Sequence, residues 1–253
     1  MQGFRLAWVY PLNMKTTRFI GLLLAAVLAA GCTHIEMPKE STSPKDGNNK
    51  VSSVQESTER EVETIVTVKQ ADGQVYFQVD SLVCVYPYKG YYDSYKGPKR
   101  VACGLILYLS ENGWYQTDQG WLYAKVTWYE DLDKGTLIRN TVASDINYTA
   151  VDVLDDWTTM QDGFLTLHYS ALWGSSSTPH GVSLVYGEDP WHWTLVHFTV
   201  GDDEEALEKA DALIYFDLND AIPKTEGAAV TINWTALDGK PAQKTFWFRS
   251  RSD

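Results

Sequence analysis

The sequence predicts an all-β protein in two parts: a small N-terminal barrel, then a C-terminal β-sandwich, with almost no helix outside the leader. Three observations carry this. From Glu61 onward apolar residues recur at every second position, the period of a half-buried strand. The runs are short and are punctuated by Asp-Gly, Gly and Pro about every 8–20 residues. The one helix-like run, Asp202–Ala210, is too short to be stable alone.

The chain opens on a leader. Lys15 and Arg18 precede an apolar stretch of about 12 residues, Phe19–Ala30, which ends at Gly31-Cys32. A basic start, a short apolar core and small residues at a cleavage site make a secretory signal. The core falls well short of the roughly 20 residues that span a bilayer. Ala29-Ala30-Gly31-Cys32 resembles a bacterial lipoprotein signal, which implies acylation of Cys32; ordinary cleavage after one of the alanines is the competing reading. Residues 1–13 add nothing that a signal needs, so Met14 reads as the true start and residues 1–31 as the signal peptide. Thr33 follows the cysteine where inner-membrane lipoproteins often carry aspartate, so by resemblance the protein sorts to the outer membrane, on its periplasmic or its surface face.

Residues 32–60 read as the lipidated cysteine and a flexible tether, polar and sparse in apolar side chains. Flexible-chain scaling holds the folded part about 30 Å from the bilayer. Residues 61–147 read as the barrel domain and 148–253 as the sandwich domain. In the first, Thr64–Lys69 and Gln74–Asp80 alternate about an Asp72-Gly73 hairpin turn. The second run sets Val75, Phe77 and Val79 on one face and Tyr76, Gln78 and Asp80 on the other. Ser81–Tyr86 is a short strand, and Tyr86–Pro98 a tyrosine-rich loop. Val101–Leu109, Leu122–Tyr129 and Thr136–Val142 complete a set that closure into a barrel would protect at its edges. The second domain takes Ile146–Trp157, Gly163–Tyr169, Gly181–Tyr186, Trp191–Val200, Asp211–Leu218, Ala228–Thr235 and Lys244–Arg249 as strands.

Charge excludes one class of partner. The whole chain carries 33 acidic and 21 basic residues; with Arg5, Lys15 and Arg18 removed in the leader, 18 basic residues remain and the net charge is −15. Nucleic acid binding depends on cationic side chains, and none of that balance supports it. Anchorage must likewise come from lipid rather than from attraction to an anionic surface.

Past the leader the cysteines are Cys84 and Cys103. They form either one disulfide, which an oxidising compartment permits, or two small buried apolar residues in neighbouring strands. No zinc spacing is present. No nucleophile elbow, P-loop, HExxH or EF-hand loop appears, so no catalytic, cofactor or metal residue is assigned and no enzymatic activity is expected. His168, His180, His192 and His197 read as structural. Asp152, Asp155, Asp156, Asp202, Asp203, Glu204 and Glu205 match no calcium loop and read as solvated turn acids. Aromatic residues in or near turns are the better candidates for an exposed binding patch: Tyr88, Tyr91, Tyr92, Tyr95, Trp114, Trp173 and Trp191.

Four blocks in the second half carry a family resemblance: Asp155-Asp156-Trp157, Asp162–Tyr169, His180–Val185 and Ala212–Leu218. They resemble the NigD-like lipoproteins of Gram-negative anaerobes. The resemblance implies a lipoprotein signal, an N-terminal OB-like domain and a C-terminal β-sandwich. The family's association with bacteriocin genes implies immunity as one role. The expectation is therefore a non-enzymatic, lipid-anchored envelope protein that binds a protein or a glycan, the latter through its loop aromatics.

Overall fold

The structure, a computed structural model, describes residues 58–110, 113–139, 148–173, 180–199 and 208–252. The leader, Cys32 and nearly all of the tether lie outside the described residues, as do Asp202–Glu205. The described chain is β throughout and divides into two compact units, one ending at Glu130 and the other starting at Asp131.

The first unit holds β1 (Thr58–Ala71), β2 (Gln74–Gln78), β3 (Cys84–Lys89), β4 (Lys99–Ser110), β5 (Gly113–Trp114) and β6 (Leu122–Asp131). The order β1-β2-β3-β6-β4, closed by pairing of β4 back to β1, makes a five-strand barrel, with β5 appended to β4. Strand β1 turns into β2 through Asp72-Gly73, both at positive φ (49° and 78°), the conformation that a tight hairpin demands. Its first eleven residues pair β4, from Thr58 against Leu109 through to Val68 against Lys99. Strand β1 thus begins at Thr58, so the last three residues expected in the tether are strand. Alternation fills the barrel with Val66, Val68, Phe77, Val85, Val101, Leu105 and Ala124 among others.

The second unit is a two-sheet sandwich. Its strands are β7 (Asp133–Lys134), β8 (Thr136–Arg139), β9 (Tyr148–Thr149), β10 (Val151–Gln161), β11 (Phe164–Trp173), β12 (His180–Tyr186), β13 (His192–Thr199), β14 (Glu208–Asp217), β15 (Ala228–Thr235) and β16 (Pro241–Phe248). One sheet runs β10-β11-β14-β7; the other runs β16-β15-β13-β12-β8, with β9 paired to β13. Leu165, Leu167, Tyr169, Ile214 and Phe216 of the first sheet share one core with Leu184, Trp193, Leu195, Val230, Ile232 and Phe248 of the second.

Three expectations are corrected here. Thr136–Arg139 is not a barrel strand: β8 pairs in parallel with β12 of the sandwich, so the domain boundary lies near Asp131 rather than at 147. The chain passes from one sheet to the other at Gly135, whose N–H donates to the Tyr215 carbonyl at 2.7 Å and whose Cα rests on the Phe216 ring. Glu208–Ala210, the end of the helix-like run, is the start of β14, because Glu208, Lys209 and Ala210 pair with Trp173, Leu172 and Ala171. Cys84 and Cys103 form no disulfide. They stand on β3 and β4 with β6 between them, a separation of about 10 Å that exceeds disulfide reach. Cys103 is instead fully buried among the barrel's apolar side chains.

Candidate functional site

The barrel's strands put their bulky apolar residues inside, and the residues between them face outward. On β2 that outward residue is Tyr76, next to buried Phe77; on β3 they are Tyr86 and Tyr88, around buried Val85 and Pro87. On β6 it is Tyr123, between buried Leu122 and Ala124, and on β4 it is Tyr108, after buried Leu107. Trp121, just ahead of β6, joins them.

The rings touch across strands. Tyr76 stacks on Trp121, with centroids 4.6 Å apart and planes 19° from parallel. Tyr86 meets Tyr123 edge to face at 5.7 Å, and Tyr88 meets Tyr123 at 6.3 Å. Tyr88 and Tyr108 lie 6.0 Å apart and their hydroxyls are hydrogen-bonded at 3.0 Å. Burial, then the hydrogen bond and proximity of Tyr88, then Glu59, push the Tyr108 phenol well above the usual tyrosine range. Burial, then Tyr86 and Asp118, raise Tyr123. Tyrosine titrates at about 10 even when unperturbed, so both phenols are protonated at neutral pH and can donate as well as accept.

Of the seven aromatics picked from the sequence, only Tyr88 belongs to this face, and it lies in strand β3 rather than in a loop. Tyr92 is 81% exposed in the following loop. Tyr91 turns inward, 4.9 Å from Phe77 and 4.9 Å from Tyr129, and Tyr95 and Trp114 also pack on the barrel core. Trp173 is buried in the sandwich, its indole N–H donating to the Ala210 carbonyl at 2.8 Å, and Trp191 packs against the same core. The physical reason is common to these five: a loop or strand-end aromatic can cap an open core, and doing so removes far more apolar surface from water than pointing outward. The residues that sequence reasoning missed, Tyr76, Tyr86, Tyr108, Trp121 and Tyr123, carry a readable signal, since each tyrosine occupies the outward phase of its strand.

The histidines and acids are engaged separately. His168 is buried; its Nδ1 lies 3.0 Å from the Asp156 carboxylate and its Nε2 3.9 Å from that of Asp211. His197 is fully buried, hydrogen-bonded to the Thr149 hydroxyl and packed against the rings of Tyr169 and Trp173. His192 is exposed and pairs with Asp189 at 2.7 Å. Asp152 accepts from the Leu237 N–H at 3.0 Å and meets Lys209 at 3.4 Å. A hydrogen bond from Lys244 at 2.6 Å holds the Asp155 carboxyl below the usual range. Among the described residues no group of three or more His, Cys, Asp or Glu side chains is placed to hold a metal ion.

A closed five-strand barrel of OB-like order, followed by a two-sheet sandwich, defines a two-domain all-β protein. Residues 136–248 match the model of the NigD-like C-terminal beta sandwich domain. That match starts with β8, on the sandwich side of the observed boundary. No curated protein matches the chain. Solved structures of similar fold include a protein described as toxin related from Parabacteroides distasonis ATCC 8503, at TM-score 0.60 and 19% identity over 76% of this chain and 94% of that one. A protein of unknown function from Bacteroides vulgatus ATCC 8482 follows at TM-score 0.58 and 16% identity, covering 74% and 90% of the two chains. A NigD-like immunity protein from Bacteroides caccae ATCC 43185 has TM-score 0.50 and 18% identity, covering 72% and 91%. At these identities the likeness establishes the fold.

Proposed function

We propose that this chain is a non-enzymatic, lipid-anchored envelope protein that acts by binding a partner, held at the outer membrane through Cys32. The observation that carries the reading is the run of six aromatic side chains on the outside of the barrel. A strand gains most by turning such rings inward, and a cluster of them at the surface marks a contact site. The non-enzymatic part is supported by the separate engagement of Asp152 with Leu237 and Lys209, Asp155 with Lys244, His192 with Asp189 and His197 with Thr149. The fold likeness to a protein described as an immunity protein, together with the NigD-like domain, favours one form of the function: the partner is a bacteriocin and binding protects the producing cell.

Gene deletion tests this form. Killing curves are recorded with bacteriocins from neighbouring strains, for the deletion strain and for strains complemented with the intact gene or with Tyr88→Ala/Tyr123→Ala. Sensitisation to one toxin, reversed by the intact gene but not by the variant, is the expected outcome. Unchanged curves against every toxin would remove the immunity role.

A further inference from the structure

We propose that the tyrosine face of the barrel is a binding site for an uncharged glycan, lined by Tyr76, Trp121, Tyr86, Tyr123, Tyr88 and Tyr108. The inference rests on the reading above that this face binds a partner, and it puts a glycan there in place of that reading's bacteriocin form.

Register makes the face continuous. Phe77 pairs with Val85 in antiparallel register, which sets Tyr76 opposite Tyr86, and the parallel β3–β6 register sets Tyr86 opposite Tyr123. Strands about 4.8 Å apart spread these three residues over about 10 Å. Tyr88, at the shift in the β3–β6 register, continues the row by its ring contact with Tyr123 and its hydroxyl pair with Tyr108. Such a row presents partly exposed ring surface, most of it at Tyr88, on which the C–H faces of sugar rings can pack. Its phenols, which both donate and accept, suit sugar hydroxyls.

The surroundings select against other ligands. A single-stranded nucleic acid also stacks on aromatics, but it needs a cationic groove to track its phosphates. Here Glu59 stands opposite Tyr108 across the β1–β4 ladder, and Asp118 is close enough to Tyr123 to raise its phenol. Lys89 and Lys125 pair with each other at the far end, so the face carries both signs beside the rings. Gln74 and Gln78 flank Tyr76 on the outward phase of β2 and place amide donors and acceptors beside the rings, which suit sugar hydroxyls.

The test is native affinity electrophoresis of the full-length mature protein through gels containing dextran, galactomannan, xyloglucan or laminarin, with polygalacturonate as the anionic counterpart. The expected result is retardation by at least one neutral polysaccharide. Tyr88→Ala and Tyr123→Ala should each weaken it by about tenfold, the scale of losing one stacked ring. Tyr88→Phe, which keeps the ring, should retain most of it, and unchanged circular dichroism and melting show that the variants are folded. Quenching or shift of Trp121 fluorescence by the retarding glycan, absent in Trp121→Phe, would further support the site. No retardation in any neutral gel, equal retardation of the variants, or retardation by polygalacturonate alone overturns the glycan. Photo-crosslinking from position 88 in living cells separates this inference from the reading beneath it. A single protein adduct without glycan retardation overturns the glycan and leaves a binding function standing. Neither adduct nor retardation overturns both.

Discussion

Cys103 shows how much one residue's surroundings set its chemistry. Burial pushes its thiol up to about 12 from an ordinary 9.0, with Arg100 opposing weakly. Between those values an unfolded thiol has lost its proton while the folded one keeps it, so the folded state binds more protons and stability falls as pH rises. Tyr108, Tyr123 and Tyr169 are also raised, chiefly by burial, and act with the same sign. Urea midpoints should therefore be lower at about pH 10.5 than at about pH 8, and Cys103→Ala should reduce the difference. Iodoacetamide should leave Cys103 unlabelled until the protein unfolds. A second residue-scale contrast lies in two Asp-Gly turns. Gly73 (φ 78°) faces open space, whereas a Cβ on Gly163 (φ 76°) would stand 2.9 Å from Asn219 Oδ1 and 3.2 Å from the Arg251 Cβ. Asn219 Oδ1 already accepts the Arg251 N–H at 2.7 Å. Gly73→Ala should cost about 1 kcal/mol, the left-handed penalty alone, and Gly163→Ala about 2–3 kcal/mol, because the clash adds to it. Thermal melts of the two variants check the ranking.

Strand β10 is the element whose shape departs furthest from regularity. Its register with β11 shifts between Leu154 and Thr159, so Asp155, Asp156, Trp157 and Thr158 bulge opposite Leu167 alone. Trp157 sits at φ 62°, where bulky side chains are rarely found. What holds the bulge is Thr158, whose hydroxyl accepts the His168 N–H at 2.9 Å and donates to the His168 carbonyl at 3.4 Å. Asp156 then bonds the His168 ring from the same bulge. Thr158→Val keeps the shape and removes both hydrogen bonds, leaving a part-buried N–H without its acceptor. It should cost about 1–3 kcal/mol in chemical denaturation. An unchanged midpoint would show that the bulge is held by something else. Legibility also divides at this scale. Hairpin strands such as β1 and β2 are readable because alternation and the Asp72-Gly73 turn are local. Strand β8 is not, because Thr136–Arg139 pairs in parallel with β12, whose first paired residue, Ser183, lies 47 positions further on. Nothing near Thr136 records that choice. The bulge is likewise silent, since four consecutive residues that break alternation look like the end of a strand. The tyrosine face lies between these cases. Its phase is written in β2, β3 and β6, but loop position does not report exposure, because the loop aromatics are the ones that close the cores.

At the scale of the whole molecule, a strongly acidic chain needs an anchor if it is to stay at a membrane. After removal of the leader the net charge of −15 opposes adsorption to anionic phospholipid. Acyl chains contribute roughly 0.8 kcal/mol per buried methylene; one chain gives only reversible binding, and stable anchoring takes more than one. If Cys32 carries the anchor, it supplies nearly all of the membrane affinity, and the folded units supply none. A chain exported behind an ordinary signal and starting at Thr33 should then fractionate as soluble protein in detergent-free extracts. It should also fail to sediment with vesicles containing anionic phospholipid, even at low ionic strength where surface charge is least screened. The native chain should sediment with membranes and enter the detergent phase on phase separation. Sedimentation of the Thr33 form with vesicles that a few hundred millimolar salt reverses would mean that a basic patch, not lipid, holds the protein. Salt-resistant sedimentation would point instead to an apolar membrane-binding surface on the barrel or sandwich. The tyrosine face makes that last outcome worth separating, because tyrosine and tryptophan also favour membrane interfaces. Repeating the sedimentation with Tyr88→Ala/Tyr123→Ala would show whether that face is responsible.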